Sequence, residues 1–290
     1  MSEITVASLS YYPIKSCAPV QAEFAEVTEL GLKYDREWML VGGRGQFLSQ
    51  RTMPELALVK TAVDDGNLHI TAPGMGTLKI ALADDRSSDE IAVDLFKKPG
   101  SGTNAGTEAE NYFTDYLGKS ARLIRVRKTR TVKPECQVDG ATTQTGFADG
   151  FPILLCSINS LADLNTNLEA PITMDRFRPN IVVNGAEPYE EDYWRTLRIG
   201  DLTSYIVRAC ARCPVPNINQ QKGNLSKERP VTEALRKSRS GIDPISESSG
   251  VFFGQNLIHV FKPGTIIRIG DIVDVTETSK TRNVKLNGFG

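Results

Sequence analysis

Ala209-Cys210-Ala211-Arg212-Cys213-Pro214 follows a β-type run and sets two of the chain's five cysteines on either side of an arginine. Cysteine ligates soft metals and attacks electrophiles as the thiolate, and an adjacent guanidinium favours that form. Three other readings compete. A Cys-x-x-Cys pair is half of a four-ligand zinc site, but Cys17, Cys136 and Cys156 are scattered and His69 and His259 stand alone. A redox dithiol normally opens a helix in a βαβ unit, whereas Pro214, Pro216, Asn217 and Asn219 read as loop. Two small buried hydrophobes at a strand end are the commonest fate of cysteine.

Working outward from this segment, the first hundred residues hold short β-type runs: Ile4–Tyr12, Glu37–Val41, Ala57–Val63, Leu68–Thr71 and Thr77–Leu82. Gly42-Gly43-Arg44-Gly45 lies between two of them with no helix after it, so it reads as a hairpin turn rather than a phosphate loop. Lys97-Lys98-Pro99-Gly100-Ser101-Gly102 is the most linker-like stretch. A Thr107-x-x-Glu110 capping box predicts a helix ending at Gly118, and further helices are expected from near Ser157 and over Thr232–Lys237. The basic stretch from Arg122 to Lys133 reads by default as a solvated strand face, with an anion funnel as the functional alternative. The polar residues 277–290 are expected to fray or extend away as a tail.

The chain has 290 residues and a formal net charge of −1, enough for one large or two ordinary domains and too little positive charge for a dedicated nucleic-acid binder. Any anion site must be local. No basic, apolar leader opens the chain and no run approaches a membrane span, so a cytoplasmic protein is expected. Five cysteines at irregular spacing do not form a disulfide framework. No Gly-x-Gly-x-x-Gly follows a strand at a helix start, so a nicotinamide fingerprint is missing.

Four further segments carry cations, hydroxyls or loop amides of the kind a phosphate requires: Tyr12-Pro13-Ile14-Lys15-Ser16, Tyr34-Asp35-Arg36-Glu37-Trp38, Asp149-Gly150-Phe151-Pro152 and Arg176-Phe177-Arg178-Pro179-Asn180. Alone, Lys15 or Arg36 would read as a surface charge. Together with Phe147 to Gly150, the helix Ser160 to Leu164, Glu191 to Trp194, Ala209 to Cys213 and Phe253 to Asn256, these segments occur in an order that resembles the two-part MOSC family, that of the mitochondrial amidoxime-reducing component and its bacterial relatives.

That resemblance implies a mixed, mainly β (α+β) fold: an N-terminal β-rich, barrel-like domain over residues 1–120 packed on a MOSC β-barrel over 121–276 with a few peripheral helices, then the tail 277–290. It implies a molybdenum–molybdopterin cofactor held between the two, with Cys213 as metal ligand and catalytic centre. Lys15, Ser16 and Arg36 match positions that hold the pterin and its phosphate. Arg178 and Asn180 match further contacts; Asp149, Gly150 and Phe151 contribute mainly through the backbone; Ala211 and Arg212 flank the ligand. Cys210 matches no ligand and is expected to be buried. The implied activity is reduction of N-hydroxylated small molecules such as hydroxylamines, amidoximes and N-hydroxylated bases. No cysteine follows Cys213, so no intrinsic iron–sulfur cluster is expected, and electrons must come from a separate donor, a flavin reductase or an iron–sulfur or haem protein. The alternative is a molybdopterin carrier without turnover. Some MOSC domains are joined to pyridoxal-phosphate enzymes, but Lys15 is better explained as a phosphate contact than as a Schiff-base lysine. One departure stands out: relatives commonly continue toward Asp-Pro-x-x-Gly after the cysteine, where this chain has Asn217-Ile218-Asn219-Gln220-Gln221-Lys222-Gly223.

Overall fold

The computed structural model describes residues 3–83, 90–95 and 98–287. Its largest sheet follows the order Val20–Ala22, Thr5–Tyr11, Ile181–Asn184, Ile153–Ser157, Ser249–His259, Leu202–Ala211, Trp194–Ile199, Val273–Thr278. Only Ile153–Ser157 and Ile181–Asn184 pair in parallel in this series, Leu155 opposite Ile181. A parallel pair needs a crossover, and helix α2 (Ile158–Asn165) lies within it. Alternation buries Leu9, Leu155, Ile181, Val183, Leu197 and Leu257 in one core with Trp194.

The expected barrel is not hydrogen-bonded all the way round. The sheet's ends approach where Val6 N donates to Asp271 O (2.9 Å), Gly270 N to Val6 O (2.8 Å) and Val273 N to Ile4 O (2.8 Å). Thr5 and Ile272 form only an isolated bridge, because the chain turns through Gly270 at φ +89° just before the last strand begins.

A second core, built on Ile14, Trp38, Leu40, Leu56, Leu68 and Phe113, lies between a four-stranded sheet (Trp38–Val41, Arg122–Lys128, Lys98–Asn104, Glu90–Leu95), a three-stranded meander and helix α1 (Thr107–Leu117). Helix α1 stops at Gly118 in the left-handed conformation, as expected, but Gly106 is its N-cap and no side chain caps it. The Thr107 capping box is therefore not formed. The linker-like stretch proves to be strand from Lys98 onward, while Lys97 lies outside the described residues. Pro99 pairs only on the Asp94 side, since the second neighbour begins at Ser101, and a Cβ on Gly102 would sit 2.7 Å from Arg125 O. Turn-forming residues here serve close strand approach.

The tail also departs from expectation. Lys285–Leu286 pairs with Ser240–Ile242, Val284 is buried, and Asn283 Nδ2 donates to Trp194 O and Gln255 Oε1, both at 3.3 Å. A polar segment packs back here because a polar interior awaits it. Arg239 and Asp192 form a buried ion pair (2.8 Å), and Gln255 Nε2 donates to Asp192 (2.8 Å). Gly42–Gly45 is the hairpin turn the sequence indicates. Within the basic stretch, Arg125 pairs with Glu37 (3.0 Å) and stacks on Trp38, and Arg127 lies 3.7 Å from Glu90, so this face is largely structural.

Candidate functional site

One cavity of about 180 Å³ lies between the two cores. Its walls include Lys15 and Ser16 just beyond the first strand, Arg36 ahead of Trp38–Val41, and Asp149, Gly150 and Phe151 ahead of Ile153–Ser157. Arg178 and Asn180 precede Ile181–Asn184, while Ala211, Arg212 and Cys213 end Leu202–Ala211 or follow it. The structure thus brings every residue that the resemblance implies for the cofactor and metal to one concavity.

The anchoring is specific. Lys15 N donates to Trp38 O (2.8 Å), Arg36 N to Tyr12 O (2.8 Å) and Phe147 N to Arg36 O (3.0 Å). Tyr12, buried, has the Arg36 guanidinium 4.4 Å and the Arg178 guanidinium 4.2 Å from its ring centre. Arg36 donates to Asp35 (2.6 Å), to Asn180 Oδ1 (3.1 Å) and to Arg178 O (3.1 Å). Asn180 Oδ1 also accepts from Leu154 N (3.1 Å) and its Nδ2 donates to Ser10 O (3.2 Å).

Three cavity residues other than glycine hold the left-handed backbone conformation: Ser16 at φ +73°, Arg36 at +50° and Arg178 at +57°. Such a conformation costs about 1–2 kcal/mol for an L-residue and persists only where surroundings enforce it, which concentrates it at binding sites. The electrostatics match. Five cations, Lys15, Arg36, Arg51, Arg178 and Arg212, share the lining with one carboxylate, Asp149. Burial pushes Lys15 down to about 8, against the opposing pull of Asp149. Desolvation pushes Asp149 up, but Lys15, Arg51 and Arg36 together outweigh it and hold the carboxyl well below the ordinary carboxylate range. Arg178 Nη1 donates to Cys17 O (2.8 Å), but its Nη2 is buried without a hydrogen-bond partner. A buried orphan donor beside converging cations is what an anionic ligand satisfies.

Two expectations change. Asp149 contributes its side chain as well as backbone, through a short ion pair with Lys15 and a longer one with Arg51 (3.7 Å). Cys210 is half-buried and lines the cavity, since the strand ends there and Arg212 Nη1 donates to its Sγ at 3.0 Å. Arg212 also donates to Phe177 O (2.6 Å) over a ring stacked on Phe253. Burial disfavours the Arg212 charge, but Cys210, Cys156 and Cys213 restore and raise it, so the guanidinium serves the Cys210 thiol directly and Cys213 through space. Cys213 is half-buried.

The sequence reading missed Ser49-Gln50-Arg51, which also lines the cavity. Its hydroxyl, amide and guanidinium after a tight turn repeat the donor chemistry of Lys15-Ser16, the one signal that marks it. Asn256 reaches the cavity, whereas Glu191 and Asp192 belong to the buried network: Ser160 Oγ donates to Glu191 (2.7 Å) and Arg239 pairs with Asp192.

Residues 3–120 match the MOSC N-terminal beta barrel domain, and residues 142–274 match the MOSC domain. The chain belongs to the MOSC family. It is 35% identical over 282 residues to mitochondrial amidoxime reducing component 2 of Rattus norvegicus, covering 93% of this chain and 82% of that one. The same component of Bos taurus is 33% identical over 252 residues, 84% and 74% of the two chains. Molybdenum cofactor sulfurase of Oryza sativa subsp. japonica is 30% identical over 263 residues, 83% of this chain but 32% of that longer protein. A role connected with the molybdenum cofactor follows from this membership. Among the described residues, no helix is long and apolar enough to cross a membrane.

Proposed function

We propose that this MOSC protein is an oxidoreductase that reduces N-hydroxylated compounds at a molybdenum–molybdopterin cofactor held in the cavity. The observation that carries the reading is the convergence of Lys15, Arg36 and Arg178, with an unpartnered Arg178 Nη2, around the cavity that half-buried Cys213 also lines. These groups fit the cofactor: cations and the Ser16 hydroxyl suit a phosphate, and a thiolate suits a soft metal centre.

Lys15, Ser16, Arg36 and Arg178 hold the anionic end, with Asn180 fixing Arg36 and Asp149 to Phe151 forming the adjoining wall. Cys213 supplies the metal ligand, and Arg212 lies next to it in sequence and lines the same cavity. Once bound, the cofactor would supply two-electron redox chemistry. In the net reaction the N–O bond breaks, two electrons and two protons enter, and water leaves. A separate donor protein delivers the electrons. The division at residues 120 and 121 belongs to the same proposal, and five free cysteines suit a reducing compartment such as the cytoplasm.

Benzamidoxime reduction with a chemical electron donor tests the reading on metal-loaded parent and Cys213→Ala. The parent should turn over and the variant should not; equal rates would overturn the assignment. Loaded parent that exchanges its pterin without reducing any N-hydroxylated substrate would instead be a cofactor carrier.

A further inference from the structure

The loop after Cys213, where this chain departs from the common family pattern, is tied to the Lys15-Ser16 turn by two buried amides. Gln50 and Gln220, 170 residues apart, are 1% and 7% exposed. Gln50 Nε2 donates to Gln220 Oε1, and Gln220 Nε2 donates to Gln50 Oε1, each at 3.2 Å. Gln50 Nε2 also donates to Ser16 O at 2.7 Å, and Gln220 Nε2 to Ile218 O at 3.3 Å. The carbonyl acceptors at Ser16 and Ile218 leave one orientation for each amide.

The same loop has other moorings. Asn217 Oδ1 accepts from Val231 N (3.1 Å) and Thr232 N (3.2 Å) at the start of helix α3 (Pro230–Ser238), and Gln221 Nε2 donates to Asp175 (2.6 Å) in the turn before Arg178. Gly223, at φ +61°, packs so closely that a Cβ would lie 2.8 Å from Leu58 Cγ. The loop is packed on these moorings, and the amide pair joins it to the backbone of the Lys15-Ser16 turn. Displacing Ser16 O without the loop would strand a buried amide.

We propose that Gln50 and Gln220 are positioning residues that couple an anion held at the Lys15-Ser16 turn to the reach of the Cys213 thiol. This rests on the functional reading above and adds a mechanism to it: the phosphate end of the ligand sets the loop that presents the metal-ligating sulfur.

The test measures alkylation of Cys213 by iodoacetamide, quantified by peptide mass spectrometry on the full metal-free chain, with and without inorganic phosphate. Phosphate binding is followed separately by calorimetry. In the parent, saturating phosphate should change the Cys213 rate at least threefold. Gln220→Leu should bind phosphate yet alkylate at one rate in both conditions. Gln221→Leu removes a different mooring of the same loop and should retain the response. The coupling is refuted if the parent binds phosphate without a change in rate, if Gln220→Leu responds like the parent, or if Gln221→Leu abolishes the response as fully. Failure of the parent to bind phosphate at all overturns the anion-site reading itself, and the coupling with it.

Discussion

The guanidinium of Arg36 donates to the side-chain oxygen of Asn180 across 3.1 Å of space and 144 residues of sequence. This contact joins the turn that leads into one core to the strand that begins the other. It also fixes the orientation of Asn180, whose amide nitrogen must then face Ser10 O.

Asn180→Ala should therefore lower stability by about 2–3 kcal/mol, because Leu154 N and Ser10 O lose a buried partner along with Arg36. Urea unfolding measures the loss. Anion affinity should fall with it, and a variant as stable as the parent would show that water replaces all three bonds.

Lys15 gives a pH dependence of known sign. Its ammonium is needed to hold an anion, and burial has pushed it down to about 8, so sulfate affinity should drop as pH rises through that value, approaching tenfold per pH unit. Sulfate keeps its charge over this range, so calorimetry between about pH 7 and 9.5 reads the protein alone. Lys15→Arg should hold its affinity to higher pH. For stability, the unfolded chain binds more protons between about 8 and the ordinary 10.5, so this group makes stability rise with pH across that window.

Glu191 acts in the opposite direction. Burial, then the neighbouring Asp192 charge, pushes it up from 4.5 to about 7 despite the Ser160 hydroxyl. The folded protein holds this proton longer than the unfolded chain, so stability should decline from about pH 4.5 to 7. Glu191→Gln should remove that component; denaturation at about pH 5 and pH 7.5 checks it, and an unchanged slope would mean that the carboxylate is ionised throughout.

Asn217 is fully buried and supplies the cap that helix α3 lacks at its own N-cap residue, Arg229. Asn217→Ala should cost about 1–2 kcal/mol. Faster amide exchange at Val231 and Thr232, against unchanged exchange in helix α1, would locate the loss at that end.

Cations and a cysteine were legible before any coordinates because each sits in a short local motif that needs only its own neighbours: Lys15-Ser16, Asp35-Arg36, Arg178 with Asn180, Arg212-Cys213. What escaped depends on distant partners. Ser49-Gln50-Arg51 looks like ordinary loop until Gln220 arrives beside it. Asp149 gains a side-chain role from Lys15, 134 residues earlier, and from Arg51. Glycines in Lys98–Asn104 resemble a linker until Arg125 O is brought against Gly102, and Asn283 resembles a frayed tail until Trp194 and Gln255 offer acceptors. The Thr107 box failed for a local reason: the chain enters the helix through Gly106 at φ +101°, which makes threonine the first helical residue.

The second place of Thr5–Tyr11 in the largest sheet bears on how the protein is made. Its partner across Leu9 is Ile181, so this strand, once synthesised, cannot complete its ladder until Ile181 has followed. At about 5–20 residues per second that is a wait of many seconds, during which Val6 and Leu9 have no core to enter. A synthesis pause before residue 181 would leave this apolar strand open to capture by chaperones or by another nascent chain.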